Sequence, residues 1–178
     1  YKAYDELSPP LQELCEGLTA LHDAHPHGRR DQMAIHPVVR VHPETGRKSL
    51  FVNEHFTRRI VELSHDESEM LLRHLTRWAA NPRFAVRYHW TEGTVAIWDN
   101  RCTQHFVLDD FESERVLQRV TVMGDHPVGA RPPRWEPALH SGALGGGGRH
   151  DRQLARFLRE RDAAGSDPDR TPDDEPAT

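Results

Sequence analysis

Between Trp98 and Asp125 the chain sets one imidazole and two guanidinium groups at fixed intervals: His105, Arg115 ten residues on, and Arg119 four beyond that. A neutral imidazole is a common ligand for iron or zinc. An arginine keeps its proton in a protein, and its planar fork matches carboxylates and sulfates through paired hydrogen bonds. Val116–Met123 is rich in Val, Leu and Thr and reads as a strand. On a strand rising about 3.3 Å per residue, positions i and i+4 share a face roughly 13 Å apart. Arg115, Leu117, Arg119 and Thr121 then occupy one face, and Val116, Val120 and Val122 the other. Two arginines on one face need anions or open solvent, because burying either unpaired is costly. A metal-binding histidine beside sites for two anions is the chemistry this pattern suggests. The plainer alternative pairs Arg115 with Asp109, Asp110 or Glu112 as a solvated bridge of little energetic weight, pairs Arg119 with another acid, and leaves Trp98 as packing.

The elements that must position these groups are legible from periodicity. Ala96–His105 leaves a strand, turns at Asp99-Asn100 and delivers His105 at the mouth of a sheet. Before it, Phe84, Val86, Tyr88 and Trp90 alternate with Ala85, Arg87 and His89 as a half-buried strand, with a turn at Glu92-Gly93 and a return partner over Thr94–Trp98. Nearer the N-terminus, Ser8-Pro9-Pro10 starts a helix, with Leu11, Leu14, Cys15, Leu18 and Leu21 at helical spacing, ended by a polar loop over His22–Gln32. Ile35–Val41 and Ser49–Val52 flank the turn Pro43–Gly46 as a hairpin. Ser64-His-Asp-Glu67 has capping-box spacing, and Met70, Leu71, Leu75, Trp78 and Ala79 give the following helix an apolar face until Asn81-Pro82 stops it. Antiparallel strand pairs with an inserted helix, and no βαβ alternation, predict a mainly β fold, a sandwich or jelly roll decorated by helices. There are too few strands to complete one, and the opening Tyr1-Lys-Ala-Tyr-Asp reads as a helix already under way. Both features fit a missing N-terminal part.

Composition narrows the function classes. The 178 residues suit one domain with or without tails. Of the net charge of −5, the span Asp151–Thr178 carries −3, and no Lys/Arg-rich run suggests a nucleic-acid partner. No apolar stretch approaches membrane-spanning length, and two cysteines are too few for a secreted disulfide framework, so a cytoplasmic location is expected. From residue 129 the prolines, the Gly145–Gly148 run and the acidic end predict a low-complexity, largely disordered tail (129–178), with one short helix around Leu154, Phe157 and Leu158.

Taken together, His36-Pro-Val-Val-Arg-Val-His-Pro43, Leu50-Phe-Val-Asn-Glu54, Trp98-Asp-Asn-Arg101, Gln104-His105 and Arg119-Val-Thr-Val-Met-Gly-Asp125 resemble the C-terminal part of the TauD/TfdA family, the taurine dioxygenases and alkylsulfatases. The resemblance covers residues 1–128. It implies a double-stranded β-helix (jelly roll), Fe(II) as metal and 2-oxoglutarate as cosubstrate. It further implies O2 and a small anionic substrate, a sulfonate or an alkyl sulfate, and allows a homo-oligomer. Carried over residue by residue, it makes His105 a metal ligand in a two-histidine, one-carboxylate site, a site type that leaves open positions for oxygen and cosubstrate. It assigns Arg115 to the distal carboxylate of 2-oxoglutarate, Arg119 to the substrate's sulfonate or sulfate, and Phe56, more loosely, to an aromatic wall of the substrate site.

One departure from the family matters. Its first histidine and its carboxylate come as His-x-Asp or His-x-Glu upstream, and this chain contains no His-x-Asp. His42-Pro-Glu44 and His65-Asp-Glu67 fit the second form, but one falls at a hairpin end and the other at a helix cap, so neither is expected to bind metal. The rival reading is therefore a non-catalytic jelly-roll fragment or anion-binding module that keeps the arginines without a complete metal site.

Overall fold

The structure, a computed structural model, describes residues 1–139 and 148–165. The acidic end Asp167–Thr178 and the glycines 145–147 lie outside these. A short helix α1 (Lys2–Asp5) is followed by α2 (Pro9–Glu16), which starts as expected behind Ser8 with prolines at its first positions. It stops at Gly17, so Leu18 and Leu21 are not helical. They belong with the chain that enters β1 (Thr19–Ala24), the middle strand of a sheet ordered β2-β1-β5, where β2 is Arg29–Pro37 and β5 is Thr57–Ile60. β1 pairs antiparallel on both edges, with Leu21 opposite Ile35 and Ala20 opposite Ile60. Its four inner residues are buried. A strand covered on both faces loses the alternation that identifies strands, which is why its apolar positions fit a helical spacing equally well. The expected polar loop His22–Gln32 is correspondingly the end of β1, a 3-10 turn at His25–His27 and the start of β2.

The expected hairpin is present over part of its span, as β3 (Val39–Val41) and β4 (Lys48–Leu50) with Arg40 opposite Ser49, while residues 35–37, expected in its first strand, lie in β2 and pair with β1. Gly46 closes its turn at φ +67°, a left-handed conformation open to glycine at no steric cost, and donates its N–H to His42 O at 2.9 Å. A two-residue strand, β6 (Val128–Gly129), pairs along the other edge of β3.

Helix α3 (His65–Ala79) has the expected capping box, Ser64 N donating to Glu67 at 2.9 Å. Its buried positions are Ser68, Leu71, Leu72 and Leu75, whereas Met70, expected on the apolar face, is exposed. These leucines join Cys15, Leu18, Ala20, Val38, Val39, Leu50, Val52 and Ile60 in the main core. Trp78 Nε1 donates to Ala3 O at 2.7 Å and ties α1 to the end of α3.

Two regions differ from the sequence expectation. Within the stretch expected to be largely disordered, the one short helix expected around Leu154, Phe157 and Leu158 is present and longer, a 17-residue α4 (Arg149–Gly165) whose Leu154 and Leu158 are buried against Leu21 and Val61. Arg59, 1 % exposed, pairs with Asp151 of α4 and donates to the carbonyls of Ile60, Leu63 and Ala138. A side chain buried in β5 thus fixes a distant helix, and composition does not report such a pairing. Conversely, the strands expected over Phe84–Trp90, Thr94–Trp98 and Val116–Met123 are not formed. Alternation marks residues suited to a pleated, half-buried surface, but a strand also needs a free edge with which to pair its N–H and C=O groups. No strand of either sheet pairs with this segment among the described residues, and Val86, Val95, Ile97, Val116, Val120 and Val122 stand exposed.

Candidate active site

His105 lies in the extended 85–127 segment, exposed, with its ring 4.8 Å from the Trp98 ring. The residue before it, Gln104, donates Nε2 to Val52 O at 2.6 Å and so fastens this stretch to the chain after β4. Arg115 is half-buried with its guanidinium 4.9 Å above the Phe111 ring, so the pairing with Asp109, Asp110 or Glu112 is not made; Asp110 pairs with Arg87 instead. Arg119 is exposed and makes no ion pair among the described residues. Phe56 sits at the loop before β5, in ring contact with His27 at 5.3 Å and His55 at 4.7 Å. No hydrogen bond, ion pair or ring contact joins His105, Arg115, Arg119 and Phe56 to one another among the described residues. The shared face of Arg115 and Arg119 is likewise absent, since it required a strand that does not form.

An iron centre of the expected type needs a second imidazole and a carboxylate beside His105. The one group of three potential ligands among the described residues lies elsewhere: His42, Asp99 and Cys102 bring their ligand atoms within 4.8 Å of one another. Two of its three members, His42 and Asp99, are already engaged. His42 Nδ1 accepts from the amides of Glu44 and Thr45 at 3.2 and 3.3 Å, which places its proton on Nε2, donating to Asp99 Oδ2 at 2.9 Å. Asp99 also accepts from Arg101 Nε at 3.0 Å and from its terminal nitrogen at 2.8 Å. The Arg101 guanidinium, helped by His42, holds the Asp99 carboxyl well below the usual carboxylate range. A metal ion would have to displace a guanidinium to enter. The other His-x-Glu candidate, His65, begins α3 with Nδ1 3.6 Å from Asp151. The described residues therefore do not by themselves fit the iron site, and His105 is its single candidate ligand.

The sequence reading overlooked the polar network that surrounds this stretch. Arg40 and His42, both on one face of the hairpin and buried, reach Asp125 and Asp99 at 2.9 Å each, while Arg101 lies 3.7 Å from Asp125. Burial works to raise the Asp125 carboxyl, but the hydrogen bond from Arg40 and the charge of Arg101 bring it below its ordinary value. The signal was present in the Arg-x-His and Asp-x-Arg spacings, yet which acid meets which base depends on contacts up to 85 residues apart. A second overlooked pair is His22 and His36, ring centroids 5.1 Å apart. Burial, then His36 and Arg58, push the His22 imidazole down to about 3, and its Nε2 has no hydrogen-bond partner among the described residues.

The sequence model of the taurine catabolism dioxygenase TauD, TfdA family matches residues 1–121. An alkylsulfatase of Acinetobacter baylyi is 36% identical over 149 residues, an alignment covering 72% of this chain and 47% of that protein. An alpha-ketoglutarate-dependent sulfate ester dioxygenase of Pseudomonas putida is 37% identical over 148 residues, covering 71% and 49%. The chain thus spans about half the length of these two relatives. A crystal structure of a taurine dioxygenase from Burkholderia xenovorans superposes with a TM-score of 0.48 at 41% identity, over 52% of this chain and 32% of that one. The matched span takes in His105, Arg115, Arg119 and Phe56, and the chain belongs to the TauD/TfdA family.

Proposed function

We propose that residues 1–128 supply the C-terminal portion of an Fe(II)- and 2-oxoglutarate-dependent dioxygenase that hydroxylates the carbon next to a sulfonate or sulfate ester, with 129–178 as an extension. Oxygen and 2-oxoglutarate are consumed, succinate and CO2 are released, and the hydroxylated carbon collapses to an aldehyde plus sulfite or sulfate. His105 is one metal ligand, Arg115 receives the distal carboxylate of 2-oxoglutarate, and Arg119 holds the sulfur oxyanion so that the neighbouring carbon meets the reacting centre. Phe56 lines the substrate site. The two further metal ligands come from residues outside this chain, and the exposed valines and isoleucine of the 85–127 segment pack in a completed jelly roll. The observation that carries the reading is the family match across residues 1–121, which runs through the motif from Trp98 to Arg119.

A cytoplasmic setting is part of this proposal; among the described residues no helix is long and apolar enough to cross a membrane. The test incubates the complete gene product with Fe(II), 2-oxoglutarate, O2 and a panel of alkyl sulfates and sulfonates, following succinate and the sulfur product together. Equimolar succinate and sulfate or sulfite is expected with at least one panel member. Anion binding without turnover would favour the binding-module reading, which the single candidate ligand also permits.

A further inference from the structure

We propose that Arg40, His42, Asp99, Arg101 and Asp125 are positioning residues, a latch that holds the His105 and Arg119 segments in register on the β3–β4 hairpin. The inference rests on the proposed roles of His105 and Arg119 and names what places them.

Among the described residues, 85–127 join no sheet, and side-chain contacts are what hold them to the hairpin. Arg40 in β3 and His42, one residue past its end where its N–H still pairs with Arg47 O at 2.9 Å, alternate with buried Val39 and half-buried Val41 and so fall on one face of the hairpin. That face is fixed by β4 on one edge and β6 on the other. Each residue captures one acid at 2.9 Å: His42 takes Asp99, and Arg40 takes Asp125. In sequence, Asp99 stands six residues before His105 and Asp125 six residues after Arg119. The two captured points thus bracket the whole stretch of proposed ligand-holding residues. Arg101 ties them together, forked on Asp99 and 3.7 Å from Asp125. Gln104 adds a third tether beside His105, its Nε2 2.6 Å from Val52 O. Arg40 is 4 % exposed and lies 5.0 Å from the Phe51 ring. A buried arginine left without its carboxylate is strongly unfavourable, so the Arg40–Asp125 contact resists opening.

The chain carries its own probe. Cys102 sits half-buried in the Asp99 turn with Sγ 3.8 Å from Asp99 O, whereas Cys15 is fully buried and its thiol is pushed up to about 12. An aromatic disulfide reagent therefore reads the turn through Cys102 and global unfolding through Cys15. Asp99→Asn should speed Cys102 labelling about tenfold or more, because it removes the charge from a charge-assisted pair. Asp125→Asn should speed it to a smaller degree, and Arg40→Lys should keep most of the wild-type protection. Where Asp99→Asn exposes Cys15 as well, Arg101→Gln, which cuts only the cross-tie, replaces it. In the complete gene product, Asp125→Asn should raise KM for the sulfur substrate and release succinate in excess of product when the assay is normalised to the folded fraction. A merely structural role would lower the folded fraction and leave KM and coupling untouched, which overturns the inference. Unchanged Cys102 labelling in both acid variants also overturns it, whatever the activity. Wild-type protein that binds no 2-oxoglutarate would instead sink the functional reading, and the labelling comparison still decides whether the latch exists.

Discussion

Replacing Asp151 by alanine strips Arg59 of its carboxylate while Arg59 stays buried in β5, 1 % exposed. Removing one partner of a buried ion pair costs about 3 to 5 kcal/mol, because the remaining charge has no compensation. Set against this, α4 is docked by Leu154 at 0 % and Leu158 at 6 % exposure, together contributing about 3 to 6 kcal/mol of apolar burial. The two magnitudes are comparable, so the loss is capped: once α4 lifts away, Arg59 reaches water and the penalty ends. Asp151→Ala should therefore undock α4 and leave the rest folded. Hydrogen exchange resolves this directly, with amides of 152–165 losing protection and those of β1 and α3 retaining theirs. The double substitution Arg59→Met with Asp151→Leu should restore α4 protection, since apolar replacement of a buried pair is often neutral or stabilising. Protection in α4 unchanged within about 1 kcal/mol on Asp151→Ala would mean the pair acts like a surface bridge, and the reasoning would fail.

The two arginines should separate cleanly in the complete gene product. Arg115→Ala is expected to weaken 2-oxoglutarate about ten- to 150-fold for every substrate, the loss of one charge-assisted contact, while Arg119→Ala weakens the sulfur substrate and spares 2-oxoglutarate; equal damage to both ligands by both variants would contradict the assignment. The His22 imidazole, depressed chiefly by burial, stays neutral in the folded protein while the unfolded chain takes up its proton below about pH 6.5, so stability falls as pH drops from there towards about 3. Denaturant titrations should find that wild type loses about 2 kcal/mol more than His22→Leu between pH 7 and pH 5, and parallel pH profiles would refute the burial argument.

How much of this was legible depended on whether the signal was local. The capping box at Ser64 and Glu67, the prolines opening α2 and the Gly46 turn depend on neighbours in sequence, and the structure has each where the residues point. β1 was hidden because a strand buried on both faces carries no alternation. The 85–127 segment shows the converse: Phe84–Trp90 and Val116–Met123 have strand composition, yet pairing is a property of two segments. α4 was underestimated because Arg59 and Asp151, 92 residues apart, supply an anchor that composition cannot weigh. In the site, His105, Arg115 and Arg119 were readable as a family pattern, whereas the network around Asp99 was not, since each partner is an ordinary charged residue until folding brings it to an opposite charge.

The central claim is that His105 belongs to an iron site that takes 2-oxoglutarate. It is tested most directly by adding 2-oxoglutarate to the Fe(II)-loaded complete gene product without oxygen and recording the visible charge-transfer absorption that a chelated 2-oxo acid produces. Wild type should develop the band, Arg115→Ala should develop it only at higher 2-oxoglutarate, and His105→Ala should not develop it. A His105→Ala titration that overlays wild type would contradict the account.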